Sequence, residues 1–262
     1  MPPTARHAAA DEFRAHMRQS TELHARYCAD PEQLAQYDRF TQWQMDYLLT
    51  FFSDLHEREG YDDAIDYTMS DLAGVGISER DRDLERASPA ITRMLPTRAI
   101  ETIAAAAQLN QQVLEVNLGI FRQLQVDGQL PGTISDRAYC AACREATTLD
   151  ECLELVHLAI GLGRTLKTLV RIPLLGGMLR AMHGPAHAAG FGALHEFLDN
   201  GYTYFKAIPD LELFLDVIET RMSQVFEGIY TWPLEEFAED GTYGAEICLL
   251  YTSDAADDSV LV

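Results

Sequence analysis

The sequence predicts an all-α fold, one bundle of about eight to ten helices around a central buried helix. Three observations carry this. Apolar residues recur at i, i+3, i+4 and i+7 over most of the chain, the period of a helix that buries one face. Strand-like alternation is absent, and no internal repeat is evident. Helix start and stop residues stand where the periodic runs begin and end. The 262 residues, 47% of them hydrophobic, suffice for such a bundle.

The first helix is expected over Ala8–Ala29, with Phe13, Met17, Leu23 and Tyr27 at core spacing. Asp30-Pro31 is a start signal, a capping acid followed by a proline that needs no intrahelical donor. It opens a helix over Pro31–Leu55, and a turn over His56–Gly60 follows. A short helix over Asp62–Leu72 ends at Gly74-Val75-Gly76. Ser78 is placed to cap a helix to Leu95, with Glu79 and Asp81 favourable in its first turn. Thr97–Val126 is a long, clean helix, and Asp127–Gly132 is its turn. Ser135 caps a short helix to Thr147.

Leu149–Arg171 is the expected central helix. Leu155, Leu158, Ala159, Leu162, Leu166 and Leu169 fall on one side, and Val156, Gly163 and Val170 widen it to about half the circumference. Glu154, His157, Gly161, Arg164, Thr168 and Arg171 form the polar strip. Pro173 ends this helix and starts the next, to Met182. His183-Gly184-Pro185 is read as a second break, and a third helix runs to Leu198, closed by Asn200-Gly201. The last helix is Leu211–Tyr230. The chain thus divides into an N-terminal helical segment over residues 1–30, a helical domain over 31–230 and an acidic tail over 231–262.

The formal net charge of −21 repels phosphate backbones, so nucleic acid is excluded as a partner class. Lys167 and Lys206 are the only lysines; arginine supplies the other fixed positive charge. No uncharged apolar run is long enough to span a bilayer, and the N-terminus has no signal-peptide pattern. Five scattered cysteines make no disulfide framework, and the cytoplasm is the expected location.

From Leu34 to Glu227 the chain resembles the bacterial FFLEE-motif proteins. The matching segments are Ser78–Arg86 (SERDRDLER), Met94-Leu95-Pro96, Gly163–Arg171 (GRTLKTLVR), the Pro173 break, Gly184-Pro185-Ala186, Phe197-Leu198 and Gly201. Tyr67–Ala73 stands in place of the eponymous motif, without its paired phenylalanines and with one carboxylate. The resemblance implies a helical, cytosolic bacterial protein and no particular activity. Separately, Cys248–Ser259 (CLLYTSDAADDS) resembles translated sequencing-adapter read-through at the ends of metagenomic proteins, so residues 248–262 are expected to be foreign to the fold.

Candidate chemistry is sparse. Glu154-Leu-Val-His157 has the E-x-x-H spacing of ferritin-like metal sites, which need a second such motif and carboxylates from facing helices. No second E-x-x-H occurs. Cys140-Ala-Ala-Cys143, with Cys152 and His157, lacks the spacing of a zinc finger, and the cysteines read as small core residues. His183, His187 and His195 invite a metal reading, but the Gly184-Pro185 break is expected to separate the first two. Arg164, Lys167, Arg171 and Arg180 form the one basic concentration. They are expected either to pair internally with acids such as Asp83, Glu85 or Glu196, or to line an anion pocket.

No nucleophile elbow, P-loop or dinucleotide fingerprint appears, and no cofactor is implied. The leading expectation is a non-catalytic structural or interaction role with an unidentified protein partner or by self-association. Small-anion binding is the alternative, and a ferritin-like metal protein the third.

Overall fold

A computed structural model of the chain describes residues 5–27, 30–67, 83–84, 86–87, 97–130, 132–172 and 175–239. Within them ten α-helices form and no strand. They are α1 (Ala5–Tyr27), α2 (Pro31–Thr50), α3 (Ser53–His56), α4 (Asp62–Tyr67) and α5 (Thr97–Val126), then α6 (Asp136–Ala146), α7 (Leu149–Leu169), α8 (Leu175–Ala188), α9 (Gly192–Ala207) and α10 (Leu211–Thr231). The all-α class is as the periodicity predicts. Most of the Ser78–Leu95 helix, the Gly74–Gly76 break and the Cys248–Ser259 tail lie outside the described residues.

The caps explain the boundaries. The Asp30 carboxylate accepts from the Glu32 amide ahead of Pro31, and the Ser135 hydroxyl accepts from the Ala138 amide. Thr148 and Glu151 form a reciprocal capping box at the start of α7. Asp210 accepts from both the Glu212 and Leu213 amides at the start of α10.

The helix that joins the molecule is α5. Its N-terminal half packs along α1, with Phe13 and Met17 buried against Ala104 and Ala107. Its C-terminal half enters the main core, where Leu118, Ile120, Phe121 and Leu124 meet α2, α6 and α7. There the Phe121 ring lies edge-on to Tyr37, centroids 5.3 Å apart. Buried Tyr139 accepts from the Gln44 amide, which also donates to Asn117. The expected central helix, α7, is less enclosed: it buries only Cys152, Val156, Ile160 and Gly163. Its polar strip is wide enough that the apolar side alone packs, against α10 and α5.

Three predicted boundaries move. The Pro31–Leu55 helix divides at Phe51-Phe52, where both rings are buried and the Arg221 guanidinium takes the freed Phe51 carbonyl at 3.1 Å. No break falls at His183–Pro185, because α8 runs through Pro185 to Ala188. Gly184 eases this: the residue before proline avoids the helix partly because its Cβ meets the proline ring, and glycine has none. Nor does Asn200-Gly201 close a helix, since α9 continues to Ala207. A Cβ on Gly201 would lie 2.5 Å from the Tyr67 hydroxyl oxygen, so this glycine serves close packing rather than a cap. That hydroxyl donates to the Phe197 carbonyl at 3.0 Å and ties α4 to α9.

Candidate functional site

The basic residues separate into two environments. Arg164 faces α10, where Glu212, Asp216 and Glu219 recur at i, i+4 and i+7 on one face. Its guanidinium donates to Glu212 at 3.0 Å, to Asp216 at 2.9 Å and to Glu219 at 3.2 Å. Hydrogen bonds to Glu212 and then Asp216 hold its pKa above the ordinary arginine value. Lys167, one turn on, donates to the other Glu212 oxygen. Lys167 and then Arg164 hold the Glu212 carboxyl below the usual range. The acids that neutralise Arg164 thus come from α10, not from Asp83 or Glu196; Glu85 lies outside the described residues. They were hard to choose from sequence because α7 and α10 are neighbours only in space.

Arg171 lies beyond the end of α7, and no ion pair forms to it among the described residues. It lines a cavity of about 400 Å³ between the C-terminal end of α7, the end of α9 and the start of α10. Lys167 and Lys206 line the same cavity, with Tyr202, Phe205, Ile208 and Asp210 among its walls. Lys206 donates to the Tyr202 hydroxyl at 3.0 Å. Tyr202 is held by α8, whose Gly176 lets the ring approach: a Cβ there would lie 2.6 Å from it. Lys167 and Arg171 therefore share a site. Arg164 is turned to α10, and Arg180 stands exposed on α8, outside the cavity lining. Lys206 is the cation that spacing did not join to this group, because it arrives from another helix.

The remaining candidates are placed as follows. Glu154 and His157 are exposed on α7, and the acid nearest His157 is Glu219, at 3.7 Å. The histidines do come together, contrary to the expected break. The His183 and His187 rings are 4.3 Å apart on α8, and His195 of α9 stands 5.3 Å from His183. His195 is buried, with Nε2 2.8 Å from the Leu179 carbonyl oxygen. Among the described residues no three His, Cys, Asp or Glu side chains are grouped to hold a metal ion. Cys140, Cys143 and Cys152 are free, buried thiols. Burial pushes Cys140 up to about 12 and raises Cys143 and Cys152, the opposite of what a reactive thiolate needs.

One surface stands out. Helix α8 buries only Gly176 and Ala186. Gly177, Ala181, Gly184 and Ala188 recur at i, i+4, i+7 and i+11 on its exposed side. A Cβ on Gly177 or Gly184 would meet nothing within 4 Å among the described residues. Met178 and Met182, 63% and 49% exposed, rim this flat stripe. Among the described residues no helix is long and apolar enough to cross a membrane.

No curated protein and no solved structure matches the chain. Over residues 23–233 it matches the family described as Domain of unknown function (DUF8198), which takes in α2 to α10 and the cavity they frame. The chain therefore belongs to that family.

Proposed function

We propose that this chain is a non-catalytic interaction protein that associates with a second copy of itself through the outward face of α8. The observation that supports it is the Gly177–Ala181–Gly184–Ala188 stripe rimmed by Met178 and Met182. A glycine inside a helix costs about 1 kcal/mol against alanine. Among the described residues nothing lies within 4 Å of a Cβ built on Gly177 or Gly184, so no packing there accounts for these glycines. Small residues let two helices approach closely, and exposed methionines then bury polarizable side chains across the contact.

Charge selects the partner. At −21, two copies repel wherever their carboxylates meet. Helix α8 carries no Asp or Glu, and its fixed charge is Arg180. A two-fold pairing of α8 brings like apolar faces together without opposing acids. We also propose a bacterial, cytosolic setting, in line with the resemblance to FFLEE-motif proteins and with three free thiols.

Sedimentation velocity over a wide concentration range tests the reading. The wild-type chain is expected to pass from monomer to dimer. Met178→Glu with Met182→Glu is expected to stay monomeric with unchanged helical circular dichroism. A wild-type chain that is monomeric throughout, or a double variant that still dimerises, contradicts the proposal.

A further inference from the structure

We propose that the cavity lined by Lys167, Arg171 and Lys206 binds a small organic carboxylate with a compact apolar body. This is independent of association through α8.

The chain is strongly acidic and uses lysine twice, and both lysines line this one cavity. Arg171 joins them from outside any helix. Two helices end here, and a cation in the last turn suits the negative end of each helix dipole. That accounts for Lys167 and Lys206 separately. It accounts neither for Arg171 nor for the cavity between them.

The charge balance sets the ligand. Lys167 is spent on Glu212, while no ion pair forms to Arg171 or Lys206 among the described residues. Lys206 keeps two N–H donors after its bond to Tyr202. Among the described residues Asp210 is the one carboxylate in the lining, and its Oδ1 is committed to the Glu212 and Leu213 amides. Those bonds also occupy the start of α10, so the helix N-terminus is not the anion site. Two available cations beside one fixed acid suit a monoanion; a phosphate dianion would meet Asp210 and neighbouring Glu212. The planar guanidinium of Arg171 can hold a carboxylate by two parallel bonds. Val170, Phe205, Ile208 and Leu211 supply the apolar wall. The volume, about 400 Å³, falls at the lower end of small-molecule sites.

Two lysines make the test direct. Reductive methylation with carbon-13 formaldehyde labels Lys167, Lys206 and the α-amine. Titration with phenylpropionate is expected to shift both lysine signals, and the neutral phenylpropanamide to bind at least tenfold more weakly. Calorimetry on unmodified protein is expected to show a tenfold or greater loss of phenylpropionate affinity in Arg171→Gln and in Lys206→Met, with Arg180→Gln unchanged. Thermal melts confirm that each variant is folded. Lysine signals that stay still, equal binding of acid and amide, or variants that lose stability without losing affinity overturn the proposal. Inorganic phosphate binding as tightly as phenylpropionate overturns the ligand class.

Discussion

At the scale of single residues, glycines do two opposite things on neighbouring helices. Gly201 is pressed against Tyr67, which is buried and hydrogen-bonded to Phe197, so neither partner can withdraw freely. Gly201→Ala is expected to lower stability by about 1–3 kcal/mol through overpacking. Gly177 meets nothing among the described residues, so Gly177→Ala is expected to raise monomer stability by about 1 kcal/mol while weakening association. Chemical denaturation of both variants, set beside their sedimentation, reads the two signs. The sequence could not separate these glycines: Asn200-Gly201 has the composition of a helix stop, and only Tyr67 reveals its use. Caps were legible because a cap is local; Asp30 and Ser135 bind amides within three residues.

At the scale of elements, α3 is bound to α10 by Arg221, whose side chain is 12% exposed and forks onto Asp54, one arm at 2.9 Å. This pair spans 167 residues and leaves no trace in local spacing. The Arg221 hydrogen bond holds the Asp54 carboxyl below its usual value. A carboxyl depressed in the folded state adds stability that is full above the unfolded value of about 3.9 and is lost as pH falls through the folded one. Asp54 is partly exposed, so solvent screens the pair, and Asp54→Asn is expected to cost about 1–2 kcal/mol at neutral pH. The difference from wild type should shrink below pH of about 4, which urea titrations at several pH values measure. Helix α8 shows the other limit of sequence reading. Its proline was legible as a break, but α8 runs on past it; Gly184 lacks the Cβ that would meet the proline ring, while Pro185 still leaves one backbone carbonyl without its donor. The basic cluster was legible as a group and not as a site, because α10 claims Arg164 and α9 contributes Lys206.

At the scale of the molecule, a main core and two smaller clusters share α5. One of the smaller clusters rests on Phe13, Met17, Ala104 and Ala107, and α1 supplies half of it. Phe13→Ala is expected to cost about 3–5 kcal/mol. Hydrogen exchange should locate the loss in α1 and the N-terminal half of α5, leaving amides around Phe121 protected. The apolar period of α5 made its length legible, but not that α1 would cover one end and α2, α6 and α7 the other. Net charge acts at this scale as well. Two copies of a chain at −21 repel beyond their contact, so added salt is expected to tighten association through α8, and sedimentation at low and high ionic strength should show it.

The most direct test of the account is a cross-link at the proposed two-fold axis. Ala181 sits mid-stripe on α8, so in a symmetric pair it lies opposite its own copy. Ala181→Cys, with Cys28 and Cys248 replaced by serine, is expected to form a covalent dimer on mild oxidation, and Glu154→Cys in the same background is expected to remain monomeric. A covalent dimer from position 154 and none from 181 would contradict association through α8.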